Sequence, residues 1–513
     1  MKPAESPVRW ALLVGCVVLA GFALRLYHAS GAWLNPDECL QYMYADHAGI
    51  VETIKDSNHN AHPPLLVLLI HFWRRFGDGE AFLRLLSVVP SSLAIVLLGL
   101  WVRAIGGAAA GLLAAGLFAL SPHLAMNGAE LRQYSLLLLG LTGALYSLEM
   151  ALTTGRASWI AVFGGFQLIA IWSHFSAMWA VASIGAYSLF RLFTRANSVR
   201  LRLAWALAEA AGAASYALLW FMQLQQLLET NRLSNAASTW MAGAHFQPQT
   251  QSIAWFTVRS TGALLAYVFS NPWCGALAAA LVAAGFVVLV RQRRYALAVL
   301  LGLPWAIVYG GSVFRLAAYG GSRHSLVLLP FLLAAAGIGG AVLTRSRSSF
   351  AVAILLAAAP YWPSRPGVGA LLIPREEQAQ HHMKAMLAKI RELAPAGSVL
   401  IGDGAAKTIL GYYLGRADDT SFVDEGAVEA GRFSGYKIIS IRRWALKADE
   451  LAGLLPQFKV DSRSAGATLL CVSGGWEAPL CARLAKERPD LVRAGPWTFG
   501  RNLAVAELAR PHE

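Results

Sequence analysis

Leu83-Arg84-Leu85-Leu86-Ser87-Val88-Val89-Pro90-Ser91-Ser92-Leu93-Ala94-Ile95-Val96-Leu97-Leu98-Gly99-Leu100-Trp101-Val102 is a run with a single charge, Arg84, close to its start. As a helix it is long enough to cross the hydrocarbon core of a bilayer, which takes about 20 mostly apolar residues. Ten further stretches read in the same way: 10–27, 105–122, 134–153, 158–173, 176–193, 203–223, 273–290, 295–312, 325–343 and 349–363. The region 250–271 reads either as one more span or as a helix lying at the interface. Across all 513 residues 56% are hydrophobic and 14% charged, against roughly a quarter charged in a soluble protein. The fold class is therefore a polytopic α-helical membrane protein of about eleven transmembrane helices.

The first run follows Lys2 and Arg9, and Leu13-Val14-Gly15-Cys16 looks like a lipoprotein cleavage box. The apolar stretch continues past Cys16 through Leu24, where a processed lipoprotein would turn polar. It reads as an uncleaved first span.

Short loops rich in Lys and Arg mark the cytoplasmic side. With the N-terminus inside, eleven spans place on that side Lys2 and Arg9, Arg103, Arg156, Arg191, Arg195, Arg200 and Arg202, Arg291, Arg293 and Arg294, and Arg345 with Arg347. The outer segments, 28–82, 123–133, 174–175, 224–272, 313–324 and the tail, hold the long loops and most of the acids. The net charge of +14 is spread between apolar runs rather than over one soluble face, which excludes a nucleic-acid binder. No internal repeat is visible.

After Pro360, Pro363 and Pro366 the composition changes. Charged helical stretches such as Arg375 to Leu393 alternate with short apolar runs, Ser398–Ile401 and Thr468–Val472. This predicts two domains, a membrane domain over 1–365 and a small α/β domain over 366–513, placed outside by the parity of the spans. The five cysteines form no CxxC pair. Cys471 and Cys481 fall in the tail, where a bridge is open.

The outer loops carry the polar chemistry. The first reads Asn35-Pro36-Asp37-Glu38 and then His59-Asn60-Ala61-His62-Pro63-Pro64-Leu65. Two acids this close to a span are costly unless paired or used. A plainer reading makes Asn35 an N-cap and Pro36 the first helical residue, with both acids favouring the positive end of the helix dipole. The readings are compatible, since a helix start is a rigid mount for a base. The second loop holds Ser121-Pro122 and Glu130-Leu131-Arg132-Gln133-Tyr134. On a helix Glu130 and Tyr134 would share a face and Arg132 would point elsewhere. The plainer reading is an interfacial helix touching headgroups. His174 separates two apolar runs, and Arg323-His324 opens a span where Arg323 could meet a phosphate. Taken singly, such residues are usually interfacial anchors.

In order and spacing these pieces resemble the C-type membrane glycosyltransferases, the superfamily of protein O-mannosyltransferases and lipid A aminoarabinose transferases. The matching motifs are Asp37-Glu38, His62-Pro63-Pro64-Leu65, Leu83-Arg84-Leu85-Leu86-Ser87, Ser121-Pro122, Glu130-x-Arg132-x-Tyr134, His174, and Arg323-His324 with Leu329-Pro330. The likeness runs from residue 10 to about 345. Each motif is short, so specificity lies in the set. In the second loop an Ala-Arg-Met core is more usual than Leu131-Arg132-Gln133, while the Glu, Arg and Tyr are kept.

The resemblance implies a polyprenyl-phosphate-linked sugar as donor and a hydroxyl of a lipid, glycan or protein as acceptor. It implies catalytic roles for Asp37, Glu38 and Glu130, with Asp37 as general base in a single inverting displacement. Donor phosphate and substrate fall to His62, Arg132, Tyr134, His174, Arg323 and His324. It implies no certain cofactor. A divalent metal ion stays open, with Glu38 and Glu130 as its ligands, because relatives differ in this. The implied location is the plasma (inner) membrane, with membrane lipids as neighbours and no nucleic acid. Three rivals stand beside it. A transporter or flippase would want ionisable groups at the bilayer midplane, whereas here they lie in the outer loops. An inactive scaffold relative would not need the acid pair. A diphosphate-polymer ligase would want several arginines in 224–272, which holds Arg232 and Arg259.

Overall fold

In the computed structural model the described residues are 7–194, 198–230, 241–269, 271–343, 376–395, 397–415, 423–424, 428–441, 453, 468–474 and 480–509. Outside them lie the expected last span 349–363, the expected domain boundary at 365, and Arg195, Arg232, Arg345 and Arg347. The chain divides into two compact units.

The first unit, residues 1–29, 49–77 and 82–370, is helical where described. Ten of the eleven expected stretches are helices, including α1 (Pro7–Ala29), α5 (Glu80–Gly106), α6 (Ala108–Leu120), α8 (Tyr134–Thr154), α9 (Ala157–Ser173), α10 (Ala177–Phe193) and α11 (Val199–Leu219). Seven described helices are long and apolar enough to cross a membrane. The pair α6 and α7 (Pro122–Ala129), bent by 65° at Ser121, is together long and apolar enough to be a broken span or a re-entrant loop. Helices α9 and α10 and the helix Ile253–Val268 are apolar but shorter. The region left open between span and interfacial helix is thus a 16-residue helix. Short helices α3 (Ile50–Ser57) and α4 (Leu65–Trp73) lie in the first loop.

In hydrocarbon every backbone polar group needs an internal partner, and the α6–α7 bend frees several. The fully buried Arg25 of α1 meets this need: it donates to Ala119 O at 3.1 Å, Phe118 O at 3.2 Å and Gly21 O at 3.0 Å, and Nε donates to Ser91 Oγ at 2.7 Å. Gly128 on α7 packs against this guanidinium, where an added Cβ would sit 2.7 Å from Arg25 Nε. Small residues permit such close approach between membrane helices.

The second unit comprises residues 30–48, 78–81 and 371–513. Its seven-stranded sheet has the order β2-β3-β4-β1-β5-β7-β6. The strands are β1 (Val399–Gly402), β2 (Val423–Asp424), β3 (Val428–Phe433), β4 (Tyr436–Ile441), β5 (Leu469–Gly474), β6 (Val492–Phe499) and β7 (Leu503–Leu508). β1 pairs in parallel with β4 and β5, and the remaining pairs are antiparallel. Central parallel strands are covered on both faces, which is why β1 and β5 read as continuous apolar runs. Cys471 and Cys481 are buried free thiols, with Cys481 Sγ 3.2 Å from Cys471 O. The acid-bearing helix α2 (Pro36–Ala45) belongs to this unit.

Candidate functional site

The acid pair opens α2. Asn35 is extended (φ −68°, ψ 166°), and its side chain accepts the N–H of Glu38 at 3.1 Å. Glu38 Oε2 accepts the N–H of Asn35 at 2.9 Å, which completes a reciprocal capping box. Pro36 takes the first helical position, where a missing N–H costs nothing. The helix start read from the sequence is therefore present, and it separates the two acids. Glu38 is fully buried and spends its carboxylate on the cap. Asp37 alone in the stretch 32–39 is not buried.

The first unit holds a second constellation. His62 from the first loop, Glu130 and Arg132 from the second, His174 from the α9–α10 link and Arg323 with His324 before the helix Leu329–Leu343 all gather around Tyr134. Arg323 lies over the Tyr134 ring at 6.0 Å from its centroid, and its Nη1 is 3.6 Å from Glu130 Oε2. The Tyr134 ring lies 5.3 Å from His174 and 6.4 Å from both His62 and His324. The His62 and His174 rings are 4.8 Å apart, and Arg132 Nη2 is 3.5 Å from His62 Nε2. Glu130, Arg132, Tyr134, His174 and Arg323 are all buried. Every loop that the charge rule assigned to the outer face of this unit, up to His174, and the segment before the late span contribute to one cluster.

The backbone reaches this arrangement differently from the expectation. Residues 130–133 are not helical: Glu130 ends α7 in an extended conformation (φ −69°, ψ 140°), and α8 starts at Tyr134. Glu130 and Tyr134 share no helix face, and Arg132 does not point away from the cluster. The reason lies in the paired hydrogen bonds of Ser87 on α5. Its hydroxyl accepts the N–H of Arg132 at 3.2 Å and donates to the carbonyl at 3.3 Å, so the link is held open.

Burial and the nearby guanidiniums keep two imidazoles neutral. His174 is pushed down to about 3, chiefly by desolvation and then by Arg132 and Arg323. His62 is held well below its ordinary value by desolvation, then by His174 and Arg132. Nδ1 of His174 accepts the N–H of Ser176 at 3.0 Å. Its proton therefore sits on Nε2. Among these side chains two guanidiniums stand against one carboxylate, a balance that suits an anion.

Sequence reasoning missed Gln223. It lies in a single π-helical turn, Trp220–Leu224, that follows α11. Its side-chain amide donates to Ser57 O at 3.1 Å, Asn60 O at 2.6 Å and His62 O at 2.9 Å, fixing the loop that presents His62. A glutamine inside an apolar run was the available signal, since π turns often mark functional positions. Asn127 was missed as well; it donates to Tyr267 Oη and to His123 O, each at 2.7 Å. Among the described residues no group of three or more His, Cys, Asp and Glu side chains could hold a metal ion. An ion on Glu38 would displace the Asn35 amide, and one on Glu130 would compete with Arg323.

No family model matches the chain, and no curated protein matches it in sequence. Among solved structures, ArnT from Cupriavidus metallidurans bound to undecaprenyl phosphate matches with a TM-score of 0.57 and 14% identity, covering 98% of this chain and 98% of that one. The apo state of the same protein matches with a TM-score of 0.55 over the same shares, again at 14% identity. Likeness at this identity establishes architecture: the chain is a multi-span membrane protein with the fold of the ArnT structures, many apolar helices and a small C-terminal sheet domain.

Proposed function

We propose that the protein is an inverting glycosyltransferase that moves a monosaccharide from a polyprenyl-phosphate carrier to a hydroxyl of a lipid, glycan or protein. The observation carrying this reading is the buried arginine, histidine and tyrosine cluster built from separate loops, in a fold shared with a structure that holds undecaprenyl phosphate. A lipid phosphate has its headgroup at the membrane boundary, where loops between spans end.

In the proposed step Asp37 accepts the proton of the acceptor hydroxyl as its oxygen bonds to the anomeric carbon. The bond from that carbon to the phosphate oxygen breaks on the opposite side. The leaving polyprenyl phosphate gains one negative charge, which Arg132 and Arg323 stabilise as preorganised cations. His62 and His174, being neutral, donate N–H groups without adding charge, and His324 and Tyr134 complete the walls. Glu130 orients Arg323, while Glu38 secures the helix start that carries Asp37. The protein would reside in the plasma membrane, N-terminus cytoplasmic and C-terminal domain extracytoplasmic.

The test is transfer by purified protein from a polyprenyl-phosphate sugar, read by mass spectrometry of glycolipids and glycans. Asp37→Asn should abolish transfer while insertion and expression stay intact. Near-normal transfer by that variant removes Asp37 from the role of base.

A further inference from the structure

The segment bearing Asp37 is built into the C-terminal domain rather than merely preceding it. Ala32 forms an antiparallel bridge with Ala379. The N–H of Trp33 donates to Gln378 O at 2.8 Å, and the Gln378 side chain donates back to Trp33 O at 2.7 Å. Gln380 N–H donates to Gly31 O at 2.9 Å. One residue further on, the domain's helix Gly404–Tyr413 takes over. The Tyr413 hydroxyl accepts the N–H of Leu34 at 2.8 Å and donates to Glu80 Oε1 at 3.2 Å. Gln380 Nε2 holds the other Glu80 oxygen at 3.0 Å. Tyr412 meets Tyr42 edge-on at 4.8 Å, and Met43 packs where a Cβ on Gly411 would sit.

Leu34 is fully buried, so its N–H depends on an internal acceptor. The bond it makes lies immediately before the Asn35–Glu38 cap, and Asp37 is one residue inside that cap. We infer that Tyr413 is a positioning residue for the Asp37 carboxylate, and that the C-terminal domain serves to hold this carboxylate in its reacting geometry. The inference rests on the reading of Asp37 as base.

Tyr413→Phe removes the hydroxyl and leaves the ring, and it is compared with wild type and Asp37→Asn in full-length protein. The expected result is a kcat lower by about tenfold with the donor KM within about twofold, because misplacement of a base costs rate rather than binding. Hydrogen exchange should show the Leu34 amide opening at least about tenfold faster, as an amide deprived of its buried acceptor does. An unchanged kcat in Tyr413→Phe, with Asp37→Asn inactive, overturns the inference alone. Equal changes in kcat and KM overturn it too, since they report general loosening. Activity in Asp37→Asn instead overturns the assignment of the base, while the exchange rate of the Leu34 amide still reports the mount on its own.

Discussion

The carboxylate of Glu130 lies 3.6 Å from the guanidinium of Arg323, joining the second loop of the first unit to the segment before a late span. Both side chains are buried, so removing one partner leaves the charge of the other less compensated. If Arg323 also meets donor phosphate, Arg323→Ala should raise the donor KM by tenfold or more, about the 1.4 kcal/mol of a charge-assisted contact. The acceptor KM should move little. Equal effects on the two substrates, measured by steady-state kinetics with each varied in turn, would argue against a phosphate contact.

The capping box engages the carboxylate of Glu38 at the start of α2. Glutamine at the third helical position completes a capping box as glutamate does. Glu38→Gln should therefore keep most of the transfer activity and unfold within about 1 kcal/mol of wild type. Asp37→Asn should be inactive. A dead Glu38→Gln enzyme that stays folded would assign Glu38 to the chemistry.

Acid should weaken the first unit through its neutral histidines. Folded His174 stays unprotonated down to about pH 3, whereas the unfolded side chain takes up a proton near 6.5. Between these values the unfolded state binds more protons, so stability falls as pH falls, by at most about 1.4 kcal/mol per pH unit for each such group. Thermal unfolding of detergent-solubilised protein should show this slope below about pH 6.5, reduced in His174→Leu. An identical slope in the variant would show that His174 is protonated when folded.

Gly128→Ala should destabilise the protein by about 1–3 kcal/mol, as overpacking does. The new methyl would meet Ser91 Oγ and Arg25 Nε, and Arg25 is tied by four hydrogen bonds that prevent it from yielding. A wild-type unfolding temperature would mean that α7 shifts freely.

Much of this was legible in the residues, for reasons that differ by element. Apolar length located the helices, because about 20 continuous apolar residues suit a helix that satisfies its own backbone in a bilayer. Asn35-Pro36 announced a helix start, since capping is local chemistry. His62, Glu130, Arg132, His174 and Arg323 are joined by the resemblance of the whole motif set, since each alone reads as an interfacial anchor. What stayed hidden depends on distant partners. The break at 130–133 is set by Ser87, and no local pattern in Glu130–Tyr134 reveals that. The role of Gln223 needs the carbonyls of Ser57, Asn60 and His62 beside it. The membership of 30–48 in the C-terminal unit rests on pairings such as Trp33 with Gln378, whose side-chain bond spans 345 positions.

Arg25 carries a further consequence, for biogenesis. When α1 leaves the ribosome, Gly21 O is already made; Ser91 follows 66 positions later and Ala119 O 94 positions later. An arginine within an apolar helix disfavours insertion by up to about 2.5–3.5 kcal/mol near the bilayer centre. The contacts of Arg25 are therefore complete only after α5 and α6 have been synthesised, so that the packing of the first helix waits on later segments.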